Sequence, residues 1–277
     1  MGANNIKKLK NRIKSVSSTR HLTKAMEIVA ASKLKAATIA MENGRSYFYA
    51  MQDAIPPLAA AGDASIYTTV REVKRSCFVV IAGDRGLAGG YNNNIFKLAV
   101  TAIGKRKCVV LPIGKKSLDY FSGKGYDILS SSFSSVERIA LPECARMGRQ
   151  LAEFYARGEI DEVIVVYTVN HNILSQEPTM VTLLPIQKSS EVRDESVLFE
   201  PSAAAVADAV IPDYLGGMLY GAVKESFASE LAARRMAMDS AYKNAGEMID
   251  QLNLEYNRAR QGAITQELTE IIGGTVE

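Results

Sequence analysis

The sequence predicts an α/β protein in which long N- and C-terminal helices form an antiparallel coiled coil, with a central, Rossmann-like, mainly parallel α/β domain between them. Three observations carry this expectation. No proline or glycine interrupts Ala3 to Asn43, no proline interrupts Asp213 to Glu277, and between the two stretches apolar runs alternate with helical patterns. Globular helices usually run roughly 8–20 residues, so helices of about 40 and about 60 residues exceed what one compact core holds. At about 1.5 Å per residue they would reach roughly 60 and 90 Å. The middle of the chain joins the C-terminal end of the first to the N-terminal end of the second, so packing along their lengths makes them antiparallel.

The first segment, residues 1–57, opens with Ile6, Leu9, Ile13 and Val16 at 3-4-3 spacing, the a/d seam of a coiled coil, with Asn4 as an N-cap. After polar Thr19 and Arg20 the seam is expected to resume at Leu22, Met26 and Val29, then to thin to Ala36, Ala37 and Ala40. The helix is expected to end by Pro56-Pro57, because proline removes a hydrogen bond and clashes with the preceding turn. A linker, 58–73, leads to the α/β domain, 74–187.

In that domain the continuous apolar run Cys77–Ala82 reads as a buried strand, followed by a glycine-rich turn from Gly83 to Gly90 and a helix from Asn94 to Ile103. Lys107–Ile113 reads as a second strand and Asp127–Ser131 as a short third. A helix from Pro142 to Ala156 precedes a strand at Glu162–Val169, and Thr179–Ile186 makes another. Such alternation indicates a mainly parallel sheet covered on both faces. Residues 188–212 read as a polar linker and a short helix. The final segment, 213–277, carries a seven-residue column of Leu231, Met238, Ala245, Leu252, Ala259, Gln266 and Gly273, widened by Ile249 and Tyr256.

Net charge is only +3, but residues 1–35 hold nine bases against the single acid Glu27, whereas residues 213–277 hold ten acids and six bases. The simplest reading is pairing between the terminal helices plus contact with an acidic partner. The basic stripe lacks interleaved aromatics and any nucleic-acid motif, which argues against a nucleic-acid partner. Cys77, Cys108 and Cys144 are odd in number and widely spaced, as expected of reduced core residues of an intracellular protein. His21 and His171 have no nearby Cys or second His, so no metal site is expected. No apolar run is long enough to span a membrane.

The turn Gly83-Asp-Arg-Gly-Leu-Ala-Gly-Gly90 is the one enzyme-like feature. It has neither the dinucleotide nor the P-loop spacing, so a structural turn is expected rather than a phosphate cradle. His171 follows a strand without a nucleophile elbow and is expected to be a loop residue capping backbone groups. No catalytic residue and no cofactor is assigned.

Thr23-Lys-Ala-Met-Glu-Ile-Val-Ala-Ala-Ser-Lys33, the glycine turn extended to Asn92, Ser229-Glu-Leu-Ala-Ala-Arg-Arg-Met-Ala-Met238 and Tyr256-Asn-Arg-Ala-Arg-Gln-Gly-Ala-Ile-Thr-Gln-Glu-Leu-Thr-Glu270 closely resemble the gamma subunit family of F-type ATP synthases. The resemblance runs the length of the chain, strongest in the terminal helices and weak between about 105 and 210. It implies a rotor shaft inside a ring of three alpha and three beta subunits, touching the epsilon subunit and the membrane ring of c subunits, with membrane contact only through the complex. It implies stator contacts at Lys24 and Met26 in the N-terminal region that influences coupling, at Arg260 and Gln261 facing a beta-subunit loop, and at Gln266 and Thr269 at the upper contact. Met26→Lys is then expected to keep hydrolysis but lower the protons pumped per ATP in reconstituted vesicles. Ala88 stands where many relatives carry cysteine. The absence of the cysteine-bearing insert of chloroplast relatives argues against dithiol regulation, and the absence of a presequence suits the cytoplasmic face of a bacterial inner membrane. The competing readings are an α/β nucleotide-binding enzyme with coiled-coil dimerisation arms and a generic coiled-coil scaffold.

Overall fold

The computed structural model describes residues 2–61, 65–133, 135–186 and 199–273. The elements run α1 Gly2–Ala61, β1 Ser76–Ile81, α2 Tyr91–Ile103, β2 Cys108–Ile113, α3 Lys115–Gly123, α4 Leu141–Ala156, β3 Glu162–Asn172, β4 Ser175–Leu184 and α5 Ala203–Gly273. They form two compact units, one of Met1–Ala31 with Arg234–Glu277 and one of Ser32–Ala233. Both terminal helices contribute to both units.

The larger unit is built on a sheet of order β2-β1-β3-β4. β1 pairs in parallel with β2 and β3, and β4 returns antiparallel to β3. All six residues of β1 are buried, as a central strand covered on both faces requires. Its side chains alternate. Cys77, Val79 and Ile81 pack towards α4, α5 and Ile55 of α1, whereas Phe78 and Val80 pack towards Ile95, Phe96, Ala99 and Ile103 of α2 and Phe121 of α3. A separate apolar cluster joins α1 to α5 through Leu34, Ala37, Ala228, Leu231 and Ala232.

Several boundaries differ from the sequence expectation. α1 already includes Asn4, which is therefore not its N-cap, and continues past Pro56-Pro57 to Ala61. α5 begins at Ala203 and carries Pro212 inside it, so the expected short helix and the final helix are one element. In both places tertiary packing outweighs the intrinsic proline penalty: Ile55, beside the proline pair, and Ile211, beside Pro212, are core residues. The polar linker at 188–198 lies outside the described residues. Asp127–Ser131 makes only an isolated bridge, Val110 to Ile128, rather than a strand. α3 has no counterpart in the sequence reading. It is short and mostly polar, and only Ser117 and Phe121, four apart on one face, are buried.

His171 lies in β3 near the hairpin turn, not in a capping loop, and its Nε2 is 2.9 Å from Glu177 Oε2 across the pair of strands. Cys77 and Cys144 are buried free thiols whose pKa is pushed up to about 12 by burial. Burial also raises half-buried Cys108. Only thiolate attacks a disulfide reagent, so at pH 8 the native chain should release at most one equivalent with Ellman's reagent, slowly and from Cys108. In guanidinium all three should react. Rapid reaction of more than one thiol in the native chain would contradict this burial.

Candidate functional site

The smaller unit is a helix pair whose seam follows strict heptads. In α1, Ile6, Ile13, Arg20 and Glu27 form one column and Leu9, Val16, Thr23 and Ala30 the other, all buried or half-buried. In α5, Met238, Ala245 and Leu252 are buried with half-buried Ala259 behind them, while Arg235, Tyr242, Ile249 and Tyr256 make the neighbouring half-buried column. Leu231, expected in the same seam, is buried in the larger unit.

After Val16 the seam departs from the expected register. Leu22 is 61% and Val29 56% exposed, whereas Thr23 is 8% and Ala30 2% exposed. The heptad continues in its original register through polar residues instead of shifting to follow the larger apolar ones. A seven-residue period keeps one face towards the partner helix whatever occupies it, because the supercoil absorbs the drift of a 3.6-residue helix.

The polar seam positions pair across the helices. Arg20 donates from Nη2 to Tyr242 Oη at 3.1 Å, and its guanidinium carbon lies 4.6 Å from that ring's centroid. Lys24 Nζ is 5.3 Å from the same centroid. Arg235 Nε is 3.5 Å from Glu27 Oε1, and Lys24 Nζ is 3.0 Å from Glu27 Oε2. Arg20 meets Tyr242 and Glu27 meets Arg235, so a step of seven along α1 matches a step of seven back along α5. This fixes the antiparallel register. Polar groups inside an apolar seam specify register at some cost in stability. Arg20→Ala and Tyr242→Leu in a double-mutant cycle should couple by about 0.5–2 kcal/mol in chemical unfolding, the range of a partly desolvated cation–π contact. Strict additivity would exclude a direct interaction.

Of the residues expected at the stator, Lys24, Arg260, Gln261, Gln266 and Thr269 are exposed and Met26 is half-buried. Thr265 Oγ1 donates to the backbone carbonyl of Gln261 at 2.9 Å, and Thr269 Oγ1 donates to that of Thr265 at 2.8 Å. These hydroxyls are turned back onto the helix. Leu254, Ile264 and Leu268 on α5, and Leu22, Ile28 and Val29 on α1, stand exposed as well.

The glycine turn is filled by the protein's own groups. Gly83 N–H donates to Asn92 Oδ1 at 2.9 Å, and the Asp84 carboxylate accepts from Ser135 Oγ at 3.0 Å and Val136 N–H at 2.9 Å. A Cβ on Gly83 would lie 2.5 Å from Glu230 Oε1, so a carboxylate of α5 packs directly against the turn. Among the described residues no group of His, Cys, Asp and Glu is arranged to hold a metal ion, and no helix is long and apolar enough to cross a membrane.

Two long terminal helices with a covered four-stranded sheet make a fold that is also found in solved ATP synthase structures. The chain covers 99% of its length and 94% of a chain in the cryo-EM structure of the Euglena gracilis mitochondrial ATP synthase, OSCP/F1/c-ring in rotational state 3, with a TM-score of 0.70 at 18% identity. The ATP synthase family model matches residues 5–276. The ATP synthase gamma chain of Ruminiclostridium cellulolyticum is 40% identical, with 98% of each chain covered, and that of Desulforamulus reducens is 41% identical, with 96% of each covered. The chain belongs to the ATP synthase gamma chain family.

Proposed function

We propose that this chain is the central rotor shaft of an F-type ATP synthase and a non-catalytic subunit of it. It couples ion-driven rotation of the membrane ring to conformational change at the catalytic beta subunits, in ATP synthesis or hydrolysis. Its partners are three alpha and three beta subunits, the epsilon subunit and the c ring, and the complex holds it at the cytoplasmic face of a bacterial inner membrane. The observation that supports this most is the heptad pairing of α1 with α5, with both helices also packed into the α/β unit. A shaft must resist twisting, and two helices locked in register by seam pairs such as Arg20–Tyr242 resist it better than one.

Within that reading Lys24, Met26, Arg260, Gln261, Gln266 and Thr269 face the stator, and different contacts with each beta subunit bias the three sites towards different affinities. Exposed charge pairs across such an interface are individually worth only about 0–1 kcal/mol, so contacts can be exchanged as the shaft turns. Within the same proposal the divisions at 57, 73, 187 and 212 separate the terminal helices from the α/β domain, which takes up the drive that the helices pass to the ring.

Co-expression with bacterial alpha and beta subunits tests the assignment. The expected result is co-purification of this chain with the hexamer and an ATPase activity that depends on it. Purification of the chain alone, as a self-associating scaffold or with nucleotide bound in calorimetry, would favour the competing readings.

A further inference from the structure

β3 extends beyond β1. Their pairing ends at Val80 with Val166, and β1 itself ends at Ile81, whereas β3 continues to Asn172. Thr168 stands opposite Pro178 of β4, with its N–H and C=O both turned to the side that β1 has left. The Thr168 backbone is buried, so its N–H and C=O require partners.

α5 supplies them. Thr168 N–H donates to Ser226 Oγ at 3.1 Å, and Ser229 Oγ donates to Thr168 O at 3.1 Å. Two residues further, on the same side of the strand, Asn170 N–H donates to Glu225 Oε1 at 3.4 Å. Ser226 and Ser229 are three apart, so both hydroxyls lie on one face of the helix. Both are fully buried. Tyr91 Oη, at the start of α2, donates to Ser226 O at 2.9 Å from the other side. The helix thus completes a hydrogen-bond ladder where a strand is missing.

We propose that Glu225, Ser226 and Ser229 are positioning residues for energy coupling: they fix the rotational setting of α5 about its own axis against the α/β domain, and so carry torque between that domain and the shaft. Apolar contacts around α5 are non-directional and set its angle less sharply than hydrogen bonds do. Hydrogen bonds weaken steeply with misalignment, and turning α5 would leave buried backbone groups without partners. This proposal rests on the rotor reading above.

The test uses the complete complex, with the alpha–beta ring immobilised and a bead attached to the α/β domain of this chain. The Ser226→Ala/Ser229→Ala variant should assemble and hydrolyse ATP within about two-fold of the parent, while the angular variance of the bead during a catalytic dwell rises at least about two-fold, because directional constraints are lost and packing is kept. ATP synthesis at limiting ion-motive force should fall several-fold more than hydrolysis. The single Ser229→Ala variant, which keeps the Ser226 bond, should fall between, and it carries the test if the double variant does not assemble. Unchanged variance with an unchanged ratio of synthesis to hydrolysis would overturn the proposal. So would parallel loss of both activities with assembly in the single variant, which marks a merely structural role. A parent complex whose bead never rotates would instead strike at the rotor reading itself.

Discussion

Gly148→Val is expected to lower the thermal midpoint of the chain by about 6–12 °C and to cut its yield in the assembled complex sharply. Gly148 of α4 faces Gly216 of α5, and a Cβ at 148 would lie 2.4 Å from Gly216 N and 2.6 Å from Pro212 O. Those neighbours are helix backbone, which cannot step aside as a side-chain tip can. In the other direction, a Cβ on Gly216 would meet Ala145 Cα at 2.7 Å. Glycine inside a helix costs about 1 kcal/mol relative to alanine, so its presence on both helices at the crossing reflects the close approach. Overpacking costs about 1–3 kcal/mol where side chains can adjust, and backbone contact on both sides puts this case at about 3 kcal/mol or more. Each kcal/mol corresponds to about 2–4 °C for a domain of this size. Gly123→Ala, where an added Cβ meets nothing within 4 Å, is the control and should change the midpoint little.

The second large effect is expected for Leu231→Asp. Leu231 is 2% exposed and packs with Leu34, Ala37, Ala228 and Ala232 where α1 meets α5 in the larger unit. Truncation alone of such a leucine costs about 2–5 kcal/mol, and a carboxylate buried without a partner adds a desolvation penalty of several more. That total is comparable to the whole stability of a domain, about 5–15 kcal/mol. ATP-driven ion pumping by vesicles carrying the variant should be lost along with the subunit itself, as read by immunoblot of the washed complex. Leu231→Met, which conserves volume, should stay within about 1.5 kcal/mol of the parent. A fully assembled, pumping Leu231→Asp complex would mean that the α1–α5 cluster is dispensable.

Features with a strong local signal were legible in the sequence. β1 and β2 are buried on both faces and read as continuous apolar runs, and Ile6, Leu9, Ile13 and Val16 announce their seam by spacing alone. The polar middle of the seam was not legible by hydrophobicity, since Leu22 and Val29 are apolar yet exposed while Arg20, Thr23 and Glu27 hold the heptad. Extending the first seven-residue column by counting, without regard to residue type, would have found them. Pro56, Pro57 and Pro212 misled for the opposite reason, because a local penalty of a few kcal/mol is overcome by burial of Ile55 and Ile211. α3 was invisible because a nine-residue helix with Ser117 and Phe121 as its buried face carries little periodicity.

At the site, Lys24, Arg260, Gln261, Gln266 and Thr269 are exposed, and their contact with the stator is part of the proposal. The seam pairs Arg20–Tyr242 and Glu27–Arg235 were missed, because nothing local marks a cation as a partner of a ring more than two hundred residues away. The ladder from Ser226 and Ser229 to Thr168 is hidden in the same way. Two serines in an alanine-rich helix look like solvent-facing or indifferent positions until the missing strand beside β3 is seen.

A rotor shaft turns inside its catalytic ring. The most direct measurement places it with alpha and beta subunits on a surface, the ring tethered and a bead fixed to the α/β domain, and adds ATP. Sustained rotation in one direction, stopping when ATP is exhausted, is the expected result. A bead that stays still while the same tethered complexes hydrolyse ATP would contradict it.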